Sequence, residues 1–294
     1  MKNTIIFILS FLLMLLATGC KKDNSRISIY AENMTGDSKV WVDPSDVNGA
    51  TWTTGETLNL NGDEYTIASD NNGFYVANTT VPLEAALYAV YPATTSSNGN
   101  NVTVENSSTS RTVTINSLAV NFNGDGHDIV FPMAAYASSG SRKLLFQHLT
   151  GGLKLNLTNT TATTLSSVKV ITYGVGPIDP VTLNENITVA TRWAAQGPNV
   201  PTGGVGQIEG DYDIKYCSEM NFSMMSNGST GVEVPTSGGG LTFCVPVTVS
   251  SVKRLVVIGY NASGTPLFSK TMTLATAQPI ARNHMYPIPT IQIN

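Results

Sequence analysis

Three histidines are the side chains in this sequence best suited to act as general bases or metal ligands. They are His127, His148 and His284, and long stretches of chain separate them. No histidine or cysteine pair has the spacing of a zinc site, and no G-x-S-x-G nucleophile motif occurs. A serine triad with members far apart in sequence stays open, although nothing points to one. We therefore predict no enzyme, no catalytic residue, no metal and no cofactor.

Two acidic features could still carry chemistry. Asp211 and Asp213 flank Tyr212 and would share one strand face, an arrangement that glycoside hydrolysis could use, although a solvated strand end is the simpler interpretation. Residues 121–126 begin like a calcium loop, but Pro132 stands at the twelfth position, where a bidentate Glu belongs. We expect a turn there.

Trp41, Trp52 and Trp193, with several tyrosines, could form a sugar-binding platform. Aromatic residues make up only 8% of the chain and mostly follow its apolar alternation, so we expect them in the core. The formal net charge is −4 and no basic stripe is present, which argues against a nucleic-acid partner. Charged residues are only 12%, and Thr, Ser, Asn and Gly take their place, as in extracellular β-proteins.

The first 19 residues have the pattern of a signal peptide. Lys2 precedes an apolar run that is shorter than the roughly 20 residues of a membrane span. The run ends at Ala17-Thr18-Gly19-Cys20, which resembles a lipobox, with Ala17 where the usual Leu stands. We predict cleavage before Cys20, lipidation of that residue and stable anchoring to a membrane.

The two other cysteines are Cys217 and Cys244. An even remainder in an oxidising compartment suggests a disulfide between them. Two buried thiols are the alternative.

Hydrophobic alternation at period two recurs along the chain and predicts an all-β fold. Examples are residues 27–31, 153–157 and 168–170, with turn signals such as Asn61-Gly62 between such runs. Short strands with frequent turns favour β-sandwiches. A polar stretch at 159–164 suggests a boundary between domains 20–158 and 159–294.

Four segments resemble motifs of the fimbrillins of Bacteroidales, the FimA-like and Mfa-like pilin superfamily. In chain order they are Trp52-Thr53-Thr54-Gly55-Glu56, Tyr88-Ala89-Val90-Tyr91-Pro92, Phe146 to Leu155 and Ala281-Arg282-Asn283-His284-Met285-Tyr286. The resemblance implies two tandem transthyretin-like β-sandwich domains after the signal peptide. It also implies a lipoprotein precursor that is delivered to the outer surface and built into a fimbria.

In this family a protease removes the lipidated segment and first strand, and a strand of the next subunit fills the groove. The strand of Ile27, Ile29 and Ala31 would be the removable one. The C-terminal segment 288–293 would be the donor, and Pro287 and Pro289, which lack N–H groups, should keep its start at an edge or outside the ladder.

A trypsin-like protease needs an accessible basic residue. Lys39 follows a turn and is the first candidate; Arg26 is the second, although cleavage there would leave the first strand in place. Alternatively, no cleavage occurs and the protein stays lipid-tethered.

These observations predict a fimbrillin-type structural and adhesive subunit at the cell outer membrane and in a fimbrium. The expected partners are other fimbrial subunits, the outer membrane through the lipid, and a host surface ligand. A surface lipoprotein that binds glycans is the alternative, and a β-sandwich hydrolase is a more distant one.

Overall fold

The structure is a computed structural model that describes residues 25–31, 52, 54–93, 101–106, 110–123, 126–193, 216–237 and 240–293. All regular secondary structure in these ranges is β-strand, which confirms the all-β prediction. No helix that could cross a membrane occurs in this described part of the chain. The signal peptide, Cys20 and Lys39 lie outside it.

The strands up to residue 148 are β1 (Ile27–Ala31), β2 (Thr57–Leu60), β3 (Asp63–Asp70), β4 (Gly73–Val76), β5 (Leu87–Tyr91), β6 (Asn101–Asn106), β7 (Ser110–Asn123), β8 (Gly126–Ile129), β9 (Met133–Ala137) and β10 (Lys143–His148). The later strands are β11 (Gly151–Thr158), β12 (Thr163–Leu165), β13 (Ser167–Gly174), β14 (Val181–Asn184), β15 (Ile187–Trp193), β16 (Tyr216–Ser226), β17 (Ser229–Thr230), β18 (Val232–Val234), β19 (Leu241–Val247), β20 (Ser251–Tyr260), β21 (Pro266–Pro279), β22 (Met285–Pro287) and β23 (Ile291–Gln292).

Seven strands of the N-terminal half close into a barrel in the order β1-β10-β9-β5-β2-β3-β4. Alternate side chains such as Leu58, Leu60, Leu144 and Phe146 are fully buried, because successive residues of a strand point to opposite faces. The predicted Asn61-Gly62 turn joins β2 to β3 with φ of 53° and 106°, the left-handed values that a two-residue hairpin turn needs.

The C-terminal half contributes most of two further sheets. One is ten-stranded, with the central order β14-β15-β7-β16-β13-β20-β21; β6 and β8 also pair with β7, and β17 pairs with β16. The other has the order β19-β11-β22, with β23 also paired to β11. β12 and β18 form a separate two-stranded ladder.

The sheets do not divide at the predicted boundary between residues 158 and 159. β7 belongs to the first half of the chain, yet it pairs in parallel with β15 and β16 of the second half. β11 also lies before the boundary and pairs with β19, β22 and β23. One hydrophobic cluster runs from Ile27 to Ile293. Strands of one half therefore pair with strands of the other half. The arrangement of two tandem transthyretin-like domains remains a prediction.

Candidate strand-exchange site

β1 closes the barrel between two strands of different direction. It pairs in parallel with β10 from Ser28↔Lys143 to Ala31↔Phe146. On its other side it pairs antiparallel with β4 through Ile27↔Val76 and Ser28↔Tyr75 only. Any strand that replaced β1 would need to run in the same direction, parallel to β10, to form both ladders.

The inner face of β1 carries two isoleucines. Ile27 is fully buried opposite Val76, and Ile29 is buried opposite Leu144. Fully burying one such side chain contributes about 1.5–3 kcal/mol relative to exposing it. Removal of β1 would therefore expose apolar side chains of its neighbours and leave an unpaired strand edge.

The outer face of β1 is apolar at one position. Tyr30 and Leu145 are partners in the β1–β10 ladder, and they are 48% and 59% exposed. Because β10 would stay when β1 is removed, Leu145 would remain beside the vacated position.

Arg26 precedes β1 and fixes its upstream end to the neighbouring hairpin of β3 and β4. Its guanidinium donates to both carboxylate oxygens of Asp70, with an NH2–Oδ1 distance of 3.1 Å. The guanidinium carbon also lies 3.7 Å from the centre of the Tyr75 ring. The hydrogen bond from Arg26, followed by that from the backbone N–H of Asn72, holds the pKa of Asp70 below its ordinary value of 3.8. This engagement of Arg26 does not favour it as the processing site.

The C-terminal segment runs parallel to β11, through β22 and then β23. Ile288, Ile291 and Ile293 are buried, and the Ile288 and Ile293 N–H groups donate to the carbonyls of Lys154 and Thr158 at 3.0 Å each. Pro287 is in β22 at the edge of its sheet and Pro289 is outside the strands, which confirms the expectation drawn from their missing N–H groups.

Two glycines allow the C-terminal segment to approach β11 closely. A Cβ on Gly151 would lie 2.5 Å from the Ala281 carbonyl oxygen, and one on Gly152 would lie 2.4 Å from the Met285 Cε. The Gly152 N–H donates to the His284 carbonyl at 2.9 Å. The absence of side chains at Gly151 and Gly152, in the third motif, therefore leaves room for the C-terminal segment, which contains the fourth motif.

Residues of the first three motifs that carry the resemblance come together in the barrel. Trp52 contacts Tyr91 edge-on, with ring centres 4.8 Å apart, and Phe146 at 5.0 Å. The Tyr91 hydroxyl donates to Glu56 Oε2 at 2.6 Å. Burial, and then the Glu56 charge, raise the pKa of Tyr91 well above its ordinary value.

The other candidate residues do not gather at one place. His148 is buried with its ring 6.0 Å from that of Phe131, and the His284 Nδ1 lies 2.9 Å from the Arg282 carbonyl oxygen. Residues 121–123 end β7 and pair antiparallel with β8, and the described residues contain no group of three possible metal ligands. Trp52 and Trp193 lie in the core, as predicted. Trp41, Asp211 and Asp213 lie outside the described residues.

The predicted disulfide between Cys217 and Cys244 is not formed in the structure. Cys217 pairs with Tyr173 in the ten-stranded sheet, whereas Cys244 pairs with Lys154 in the β19-β11-β22 sheet. Burial raises the pKa of both thiols, that of Cys244 to about 11. The even number of cysteines that remains after Cys20 could not reveal that these two residues belong to different sheets.

Comparison with known proteins finds solved structures but no matching family model and no matching curated protein. A proposed cell adhesion protein from Bacteroides ovatus is 13% identical, with 90% of this chain and 91% of that chain covered and a TM-score of 0.43. One from Bacteroides uniformis is 15% identical, with 92% and 95% covered and a TM-score of 0.34. One from Bacteroides fragilis is 13% identical, with 91% and 92% covered and a TM-score of 0.36.

Proposed function

We propose that this chain is a fimbrillin-type structural and adhesive subunit of a cell-surface fimbria. In this proposal it is exported as a lipoprotein through Cys20, held at the cell outer membrane, and assembled by exchange of β1 for a strand of another subunit. The observation that carries the proposal is the position of β1. This five-residue strand closes the barrel, and its two inward isoleucines fill positions that any similar strand could fill.

The C-terminal segment has the features of a donor strand. Ile291 and Ile293 have the same spacing as Ile27 and Ile29, and the polar Gln292 stands between them as Ser28 stands between the others. In its own chain the segment runs parallel to β11, and in the groove it would run parallel to β10. Head-to-tail use of one such interface yields an open filament.

Controlled removal of β1 tests this proposal. A protease recognition sequence is inserted between Ala31 and Trp52 of the full chain, and the folded protein is cut there. We expect ladders of stable oligomers in unboiled gel samples from cut protein only. An additional Ile291→Asp/Ile293→Asp double substitution should abolish the ladders, whereas Gln292→Ser, at an exposed position, should preserve them. Persistent monomers after loss of the β1 fragment would refute assembly by exchange.

A glycan-binding surface lipoprotein is the second candidate, and one observation favours it. Tyr88 and Tyr136 are partners in the β5–β9 ladder, their ring centres lie 5.2 Å apart, and both are half-buried between buried neighbours. The two rings therefore lie on the outer face of the barrel. Retarded migration in polysaccharide-containing native gels, reversed by Tyr136→Ala, would support this candidate.

A further inference from the structure

Arg26 is held by two groups that recognise the shape of a guanidinium as well as its charge. Asp70 accepts hydrogen bonds on both carboxylate oxygens, from NH1 and NH2 of the planar fork. The Tyr75 ring stacks against the same group at 3.7 Å. A lysine ammonium is a point charge and cannot make the two-pronged contact.

Asp70 and Tyr75 belong to the barrel and not to the strand they hold. Asp70 ends β3, Tyr75 is in β4, and the β3–β4 ladder joins them through Asp70↔Gly73 and Ala68↔Tyr75. The Asn72 N–H donates to Asp70 Oδ1 at 2.7 Å and fixes the carboxylate within the turn. Both groups would therefore keep their positions when β1 leaves.

We propose that Asp70 and Tyr75 form a guanidinium subsite at the upstream end of the β1 position. This subsite selects an arginine directly before the first inward side chain of any strand that fills the groove. The proposal rests on assembly by strand exchange and names the chemistry of the preferred partner: an extended segment with Arg, then a β-branched apolar residue, and another two positions later.

The C-terminal segment of this chain does not meet that requirement. If Ile291 takes the place of Ile27, Thr290 takes the place of Arg26. A donor with arginine at this position, from a related subunit, should therefore occupy the groove in preference to the segment of a second copy.

Peptide exchange on the cut full chain tests the subsite. The probes are a peptide of residues 25–31, its Arg26→Lys and Arg26→Gln versions, and peptides of residues 286–294 with and without Thr290→Arg. We expect displacement of the β1 fragment to be roughly tenfold stronger with Arg than with Gln, with Lys between them. Thr290→Arg should strengthen the C-terminal peptide similarly.

Asp70→Asn should remove these preferences, and Glu105→Gln, at an exposed ion pair with Arg192, should keep them. Equal potency of all peptides would overturn the subsite.

Failure of the subsite and failure of exchange give different results. If no peptide displaces the β1 fragment, assembly by strand exchange is refuted. Hydrogen exchange in the intact chain then tests the guanidinium subsite by itself. Faster exchange of the β1 amides in Asp70→Asn than in Glu105→Gln would support guanidinium recognition. Equal rates in the two variants would reject it.

Discussion

Tyr91 donates a 2.6 Å hydrogen bond to Glu56 in the barrel, although the two residues are 35 positions apart in the sequence. Glu56 belongs to the first of the four fimbrillin-like segments and Tyr91 to the second. This hydrogen bond therefore joins two segments that are far apart in the sequence. Trp52 packs edge-on against the same tyrosine. We infer that these two contacts of Tyr91 hold β5 against the residues that precede β2.

Removal of the Tyr91 hydroxyl should destabilise the fold. We expect Tyr91→Phe to lower the free energy of unfolding by about 1.5–3 kcal/mol, because a partly buried hydrogen bond to a charged acceptor is lost. Urea unfolding measures the change. Tyr136→Phe, on the outer face of the barrel, is the control and should change stability by less than about 0.5 kcal/mol. Equal effects in the two variants would contradict the role of Glu56.

Acid should loosen the upstream end of β1. The pKa of Asp70 is lower in the folded protein than its ordinary value of 3.8, so its ion pair stabilises the fold above that pH. This contribution is lost as the pH falls through the lowered pKa of the folded state. Hydrogen exchange of the Ser28 to Ala31 amides, corrected for intrinsic rates, should therefore accelerate below about pH 3.8. Asp70→Asn should lack this step, and a step of the same size in that variant would assign it to another group.

The two faces of the β1–β10 ladder should respond differently to truncation. Ile29→Ala should cost about 2–5 kcal/mol, because it removes most of a buried side chain and leaves a cavity. Leu145→Ala, on the exposed face, should change stability by less than about 0.5 kcal/mol. Chemical denaturation compares them, and a larger loss for Leu145 would mean that the faces are misassigned.

A methyl group on Gly151 should displace the C-terminal segment. We expect Gly151→Ala to cost about 1–3 kcal/mol, because the new Cβ would meet the Ala281 backbone at 2.5 Å. Gly176→Ala is the matched control, since its nearest atom is 3.9 Å away. Thermal unfolding and hydrogen exchange of the Ile293 amide report the effect. The close approach would be disproved by two variants of equal stability.

The cysteines should behave as two unreactive thiols. Burial raises both pKa values, so at pH 7 each thiol is protonated and a poor nucleophile. We expect slow alkylation of the folded protein and two added alkyl groups after unfolding without reductant. The mass of the mature chain gives the result directly, and a protein that takes up alkyl groups only after reduction would restore the disulfide.

The local architecture follows from the pattern of residue types along the chain. Alternation of apolar residues predicted strands such as β1, β11 and β13, because a strand in a half-buried sheet needs one apolar face. Asn61-Gly62 predicted a tight turn, because both residues readily adopt the positive φ that this turn uses. Pro287 and Pro289 predicted an edge, because neither residue has an N–H to donate.

The pairing of strands, in contrast, is visible only in the folded chain. The alternation of apolar and polar residues along a strand does not depend on which strand lies beside it. It therefore could not show that β7 pairs with β15 and β16, or that Cys217 and Cys244 belong to different sheets. The bond between Arg26 and Asp70 joins residues 44 positions apart, and no local pattern marks it. Pairing between distant strands depends on the whole set of inward side chains that must be buried together, and that set exists only in the folded chain.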